Sequence, residues 1–207
     1  MKTTSTLLTI VVSLILFSCA QLDPNKQIDE GVVKGEMYTS KEIGWTIEMP
    51  NGWEIISKET QEENEKKGLK AIAETQGGDI DASGVKHLIS FKKNQFNIFQ
   101  STSEPFKEEH AGEWAENNTA LKNLLHATYT NQGMKIDTSS TNDKIDGLDF
   151  DVFQIVLYSS KGEVILHQDL YWRYINGFDF GVTLNYNNEE DKETLQKVWR
   201  NSKFKKE

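Results

Sequence analysis

The chain has 207 residues, 32 of them acidic against 23 basic, for a formal charge of -9 at pH 7. No basic stripe offsets that charge, which argues against nucleic acid as a partner and against adsorption of the folded part to anionic lipid. A single cysteine leaves no internal disulfide available, so the fold must be held by its core alone.

In chain order, Lys2 supplies a positive start, Leu7 to Phe17 a hydrophobic segment, and Ser18 a small residue, the three-part layout of a secretory signal. The segment is too short to span a bilayer, which needs about 20 residues at about 1.5 Å rise each. The run Leu16, Phe17, Ser18, Cys19 resembles a bacterial lipobox. That resemblance implies cleavage after Ser18 and diacylation of the Cys19 thiol with chains of the palmitate kind, so that Cys19 begins the mature protein. A buried core thiol would need Cys19 inside a folded element, whereas residues 20–35 are polar and carry Pro24 and Gly31. The expected organisation is a signal peptide over 1–18, a flexible tether over 19–35 and one domain over 36–207. With Lys2 removed the charge becomes -10, and attachment to the membrane would come from the acyl chains.

Trp45, Ile47 and Met49 alternate with Thr46 and Glu48, the pattern of a half-buried strand, and Pro50, Asn51 and Gly52 break it before Trp53 and Ile55 resume an extended run. Residues 59–76 are charged and helix-favouring, with Leu69, Ile72 and Ala73 as a thin apolar stripe and Gly77 and Gly78 as the stop. Leu88 to Phe91 and Phe96 to Phe99 are expected to form a hairpin around Lys93 and Asn94, setting Phe91 opposite Phe96 and Ile89 opposite Ile98. A helix is expected from Lys107 to about Tyr129, with Ala111, Trp114, Ala115, Leu121 and Leu125 on one face.

Leu148 to Tyr158, Val164 to Ile175 and Phe178 to Tyr186 read as three strands. A two-residue Asn176-Gly177 turn would pair Ile175 with Phe178 and put Trp172 and Tyr174 on the face of Asp179 and Thr183. A three-residue loop instead pairs Tyr174 with Phe178, Trp172 with Phe180, Leu170 with Val182 and Leu166 with Tyr186, gathering the apolar residues on one side. The latter register leaves His167, Asp169, Tyr171 and Arg173 beside Asp179, Thr183 and Asn185 as one polar patch. Asn187 or Asn188 is placed to cap a closing helix in which Leu195, Val198 and Trp199 face inward. Trp45, Trp53, Trp114, Trp172 and Trp199 are the expected core.

The segment Ile43, Gly44, Trp45, Thr46, Ile47, Glu48, Met49, Pro50, Asn51, Gly52, Trp53 resembles the entry motif of PsbP-like proteins. Asp146, Gly147 and Leu148, then Asn176, Gly177 and Phe178, then a closing helix with Trp199 and an ending at Phe204 follow the same order. The resemblance spans roughly residues 38 to 205. It implies an α+β fold, an antiparallel β-sheet with helices packed on its faces (a PsbP-like α/β/α sandwich), in a set of proteins that mostly bind rather than catalyse. Among extrinsic photosystem subunits, a Ran-binding protein and DcrB-like envelope lipoproteins, the lipobox fits the last group best. Trp45, Pro50, Gly52 and Trp53 match structural positions of the motif, and no catalytic set is carried over.

Of the chemistry-bearing residues, His110 with Glu109 and Glu113 has metal-ligand spacing but reads as a solvated helix start. Asp79, Asp81, Ser83 and Gly84 open like a calcium loop, which then fails at Lys86 and Ser90. No metal or cofactor is expected. The function expected is that of a non-enzymatic binding or accessory module, lipid-anchored in the cell envelope and facing the periplasm. Its partner would be another envelope protein or a small anionic ligand gripped by Arg173 and His167. The alternative is a hydrolase using His167 and Asp169 with Thr183 as nucleophile. Ala20 after Cys19 lacks the acidic residue that resembles an inner-membrane retention signal, which favours the outer membrane over the inner.

Overall fold

The computed structural model describes residues 22–205, so Cys19 and the expected signal peptide lie outside it. A short 3-10 turn at Pro24–Lys26 leads into a four-stranded antiparallel sheet made from both ends of the described chain. Its strands are β1 (Val32–Lys34), β2 (Met37–Thr39), β3 (Trp45–Glu48) and β12 (Lys203–Phe204), in that order. The larger sheet is also antiparallel. It runs from β4 (Glu54–Ile55) through β6 (Phe91–Lys92), β7 (Ile98–Pro105), β11 (Phe178–Tyr186), β10 (Val164–Ile175) and β9 (Leu148–Tyr158) to β8 (Lys135–Ile145). A further short strand, β5 (Lys86–His87), pairs with β7 beside β6.

Among the described residues, three α-helices complete the fold. In α1 (Lys58–Gln76) the Ser57 side chain accepts the Thr60 N–H, and Gly77 closes the helix in the left-handed conformation. The α3 helix (Glu189–Arg200) is capped by Asn188, with acids in its first turn and Lys197 and Arg200 in its last, both matched to the helix dipole. The start of α2 (Glu113–Asn131) falls six residues later than expected. Gly112 sits there at φ 90°, Glu113 accepts the Glu109 N–H, and Glu108 accepts the Trp114 N–H, so residues 107–112 form an entry turn rather than a helix. The inward stripe shifts accordingly. Ala111 and Ala115 are exposed, and Asn118, Leu121, Leu125 and Thr128 turn toward the sheet.

Both faces of the large sheet are covered, and this decides its register. One face meets the small sheet and α3 in an aromatic core where Tyr38, Trp45, Phe91, Phe99, Phe150, Phe180 and Trp199 are all fully buried. Ring pairs such as Phe91–Phe99 at 4.6 Å, Trp45–Phe180 at 5.1 Å and Phe150–Trp199 at 5.2 Å fill it. The opposite face carries a second cluster, Phe153, Ile155 and Leu157, packed against Leu125 and Tyr129 of α2 and against Leu166, Leu170 and Trp172 of β10. Of the five tryptophans, Trp45 and Trp199 alone are completely buried.

Asn176 and Gly177 both adopt positive φ, 54° and 81°, so β10 and β11 join by the two-residue turn, pairing Ile175 with Phe178, Arg173 with Phe180 and His167 with Tyr186. The expected three-residue loop assumed one apolar face. With two apolar faces, Tyr171 is buried on one and Trp172 packs on the other.

The hairpin expected at 88–99 is also displaced. Phe91 faces Phe99, not Phe96, because the loop between them is longer. The Asn94 carboxamide oxygen accepts the N–H groups of Phe96 and Asn97, and Asn97 is in turn locked to Asn187. The tether expected to run to residue 35 ends earlier. The Asn25 side chain both accepts the Val33 N–H (2.8 Å) and donates to the Val33 carbonyl (3.0 Å), and Asp29 receives the His87 N–H, so residues 24–34 belong to the fold.

Candidate functional site

Strand residues alternate between faces, so the two-residue turn divides the expected polar patch. His167, Asp169, Tyr171 and Arg173 share the aromatic-core side with Phe180, Val182, Leu184 and Tyr186, whereas Asp179, Thr183 and Asn185 point to the α2 side. There, Asp179 accepts the Trp114 indole N–H at 2.9 Å and stands opposite Glu104. Burial pushes both carboxyl groups above their ordinary range, and their mutual repulsion adds to the shift of Glu104. Asn185 is buried and accepts from Gln168, which accepts the Tyr129 hydroxyl at 2.6 Å. The His110 ring reaches Glu116 at 3.2 Å on the exposed start of α2, and Asp81 accepts the Ser83 N–H within its loop.

Even the four residues on one face are dispersed along β10. Arg173 donates to the Asp149 carbonyl and lies over the Phe150 ring, 6.0 Å from its centroid. It lines a cleft of about 540 Å³ with Leu148, Tyr174, Asn176 and Lys205. His167 is six residues away, roughly 20 Å along an extended strand, so the two side chains cannot grip one small anion together. Asp169 is 2% exposed, and its two oxygens accept from Gln154 (3.0 Å) and the Tyr186 hydroxyl (3.1 Å). The triad of the hydrolase reading is therefore not assembled: Asp169 serves Tyr186 rather than His167, and Thr183 lies on the opposite face.

What these residues do build is one end of a polar ledge. The His167 ring stacks on Tyr186 at 5.1 Å, and Lys192 of α3 lies 5.7 Å from that same ring. Burial beside the Asp169 carboxylate raises the pKa of the Tyr171 and Tyr186 phenols, keeping both neutral. From Asp169 the hydrogen bonds run outward through Gln154 to the Ser139 hydroxyl on β8. Next to them the Tyr158 hydroxyl donates to Asp137 at 2.6 Å.

The ledge ends in β8, which among the described residues pairs with β9 alone and forms the outer edge of the sheet. Residues 137–142, Asp-Thr-Ser-Ser-Thr-Asn, are exposed on both faces. The outward backbone N–H and C=O groups of such an edge are free to receive another extended strand.

The arrangement of helices and sheets resembles a solved structure, that of cyanobacterial PsbP (CyanoP) from Synechocystis sp. PCC 6803, with a TM-score of 0.54 over 84% of this chain and 98% of that one. The fold is PsbP-like. Sequence identity between the two is 11%, so the likeness carries the architecture and nothing of what either protein binds. No protein-family description and no curated protein matches the sequence.

Within this PsbP-like sheet, β8 is the candidate element that residue-by-residue reading missed. Its interior lacks apolar alternation, because neither face of the strand is well covered. One signal could have found it. Asp146-Gly147 adopts φ 48° and 89°, the primed hairpin turn its dipeptide favours, and requires a strand ending immediately before Asp146 to pair with the one that starts at Leu148.

Proposed function

We propose that the protein is a lipid-anchored component of a bacterial cell envelope, a DcrB-like lipoprotein. Cys19 would hold it to a membrane, the outer in preference to the inner, with the domain facing the periplasm, where it acts as a non-enzymatic binding or accessory module. The partner is another envelope protein. The anchor rests on the lipobox-like run Leu16 to Cys19. The binding role rests on one observation above the others: the exposed edge of β8, an eleven-residue strand whose polar ledge is braced from beneath by Gln154, Asp169 and Tyr186. A pre-shaped edge of this kind recognises an extended segment through main-chain bonds, with Ser, Thr and Asn side chains reading its polar groups.

The test is site-specific photocrosslinking in cells. A photoreactive residue at Ser140 is expected to give a discrete protein adduct that depends on Cys19, while the same residue at the exposed Asn64 of α1 gives none. Identical adduct patterns from the two positions, or none from either Thr138 or Ser140, would refute the assignment of β8.

A further inference from the structure

The fold starts almost at the anchor. Asp23 already accepts the Asn25 N–H, Asn25 is bracketed onto Val33, and the Gln27 carboxamide binds both the Asp23 carbonyl and the Lys58 N–H. Leu22 is three residues from Cys19, a distance that even a fully extended chain cannot stretch beyond about 11 Å. If Cys19 carries acyl chains, its backbone sits at headgroup level, and Leu22 can be no more than that leash away from it.

Leu22 also lies on a particular flank. It lines a groove of about 610 Å³ with Pro24, Glu36, Met49, Asn51 and Trp53. A second groove of about 370 Å³ adjoins it through Met49 and Asn51 and carries Met37 and Pro50. Leu22 is 47% exposed and Met37 39%, two of the few large apolar side chains left in solvent. The flank also includes β4, which is one edge of the large sheet, and six strand spacings at about 4.8 Å put β8 roughly 29 Å away at the other edge.

Resting on the lipid-anchor reading above, we infer that this flank lies flush on the bilayer that holds the Cys19 acyl chains, which turns β8 outward into the aqueous space. The occupant of the groove region is the headgroup layer itself. Leu22, Met37 and Trp53 supply a shallow apolar contact, while Glu36 and Glu54 meet the ammonium groups of zwitterionic ethanolamine lipids and keep the domain from sinking further. Contact is imposed by the short leash and not by intrinsic affinity, because Glu36, Glu48 and Glu54 outnumber Lys197 and Lys203 along the two grooves and the net charge opposes anionic lipid. One consequence is orientation: a partner meets the domain from the side opposite the membrane.

The experiment uses the full lipoprotein reconstituted into phosphatidylethanolamine and phosphatidylglycerol vesicles that carry a headgroup nitroxide quencher. A fluorophore is attached through Asn51→Cys in one preparation and through Ser140→Cys in another, both positions being exposed. Quenching at Asn51 is expected to exceed that at Ser140 severalfold, and a long Gly-Ser insertion after Ala20 is expected to reduce it toward the Ser140 level. Equal quenching at the two sites, greater quenching at Ser140, or no response to the insertion would overturn the inference. Acylation is read separately from the mass of the N-terminal peptide. A free Cys19 thiol would overturn the anchor reading and the orientation with it, whereas acylated Cys19 with equal quenching would overturn the orientation alone.

Discussion

Replacing Asp179 by asparagine should make the protein more stable at neutral pH. Asp179 on β11 stands directly across from Glu104 on β7, and both carboxyls have their pKa raised, first by burial. A carboxyl that binds its proton more tightly in the native state than in the unfolded one opposes folding at pH values above its native pKa. That penalty fades as the pH falls through the native value. The asparagine removes one of two facing charges and retains an oxygen to accept the Trp114 N–H now received at 2.9 Å. Like charges directly opposed on neighbouring strands cost about 0.2–1 kcal/mol, which for a domain of this size corresponds to roughly 0.5 to 4 °C in Tm. Thermal unfolding followed by far-UV circular dichroism at neutral pH, and again below the carboxylate range, measures the difference. The gain should appear at neutral pH and vanish in acid. A lower Tm for Asp179→Asn at neutral pH, or a gain of the same size at both, would refute the reasoning.

Two further substitutions probe the ledge and the turn that sets its register. Tyr186→Phe leaves a buried Asp169 oxygen without its donor and should cost about 1–3 kcal/mol in urea unfolding, with the slope of the transition unchanged. Gly177→Ala places a Cβ in open space but at φ 81°, so its penalty of about 1–2 kcal/mol is conformational and should leave the structure, read by near-UV circular dichroism, unaltered.

The strands on either side of that turn were legible in the sequence to the residue, since Leu148–Tyr158, Val164–Ile175 and Phe178–Tyr186 each begin and end at turn formers. Their register was not, and the reason lies in Trp172. A large aromatic in line with Leu170 and Tyr174 invites assignment to the single core face, yet it belongs to a second core under α2 that only tertiary packing reveals. The polar patch inherited that error, because a one-residue slip moves every side chain to the other face. Asn176-Gly177 carried the right answer locally, as the dipeptide best suited to two successive positive φ angles. The helix cap at Asn188 and the inward Leu195 and Trp199 could be read directly, since both signals are confined to one short segment. Asn94 and Asn97, by contrast, set their loop through bonds to each other and to Asn187, ninety residues beyond Asn97, which no local pattern encodes.

The small sheet joins β1 and β12, the first and last strands of the described chain, and it seats Phe204 among Phe150, Phe180 and Trp199. The aromatic core therefore stays open on one side until residue 204 is free to add. Such long-range closure ties completion of the core to residue 204, so the fold is not sealed until that residue is available. A truncation ahead of Lys203 would therefore forfeit the step that seals the core, leaving Phe150, Phe180 and Trp199 open on the side that Phe204 covers.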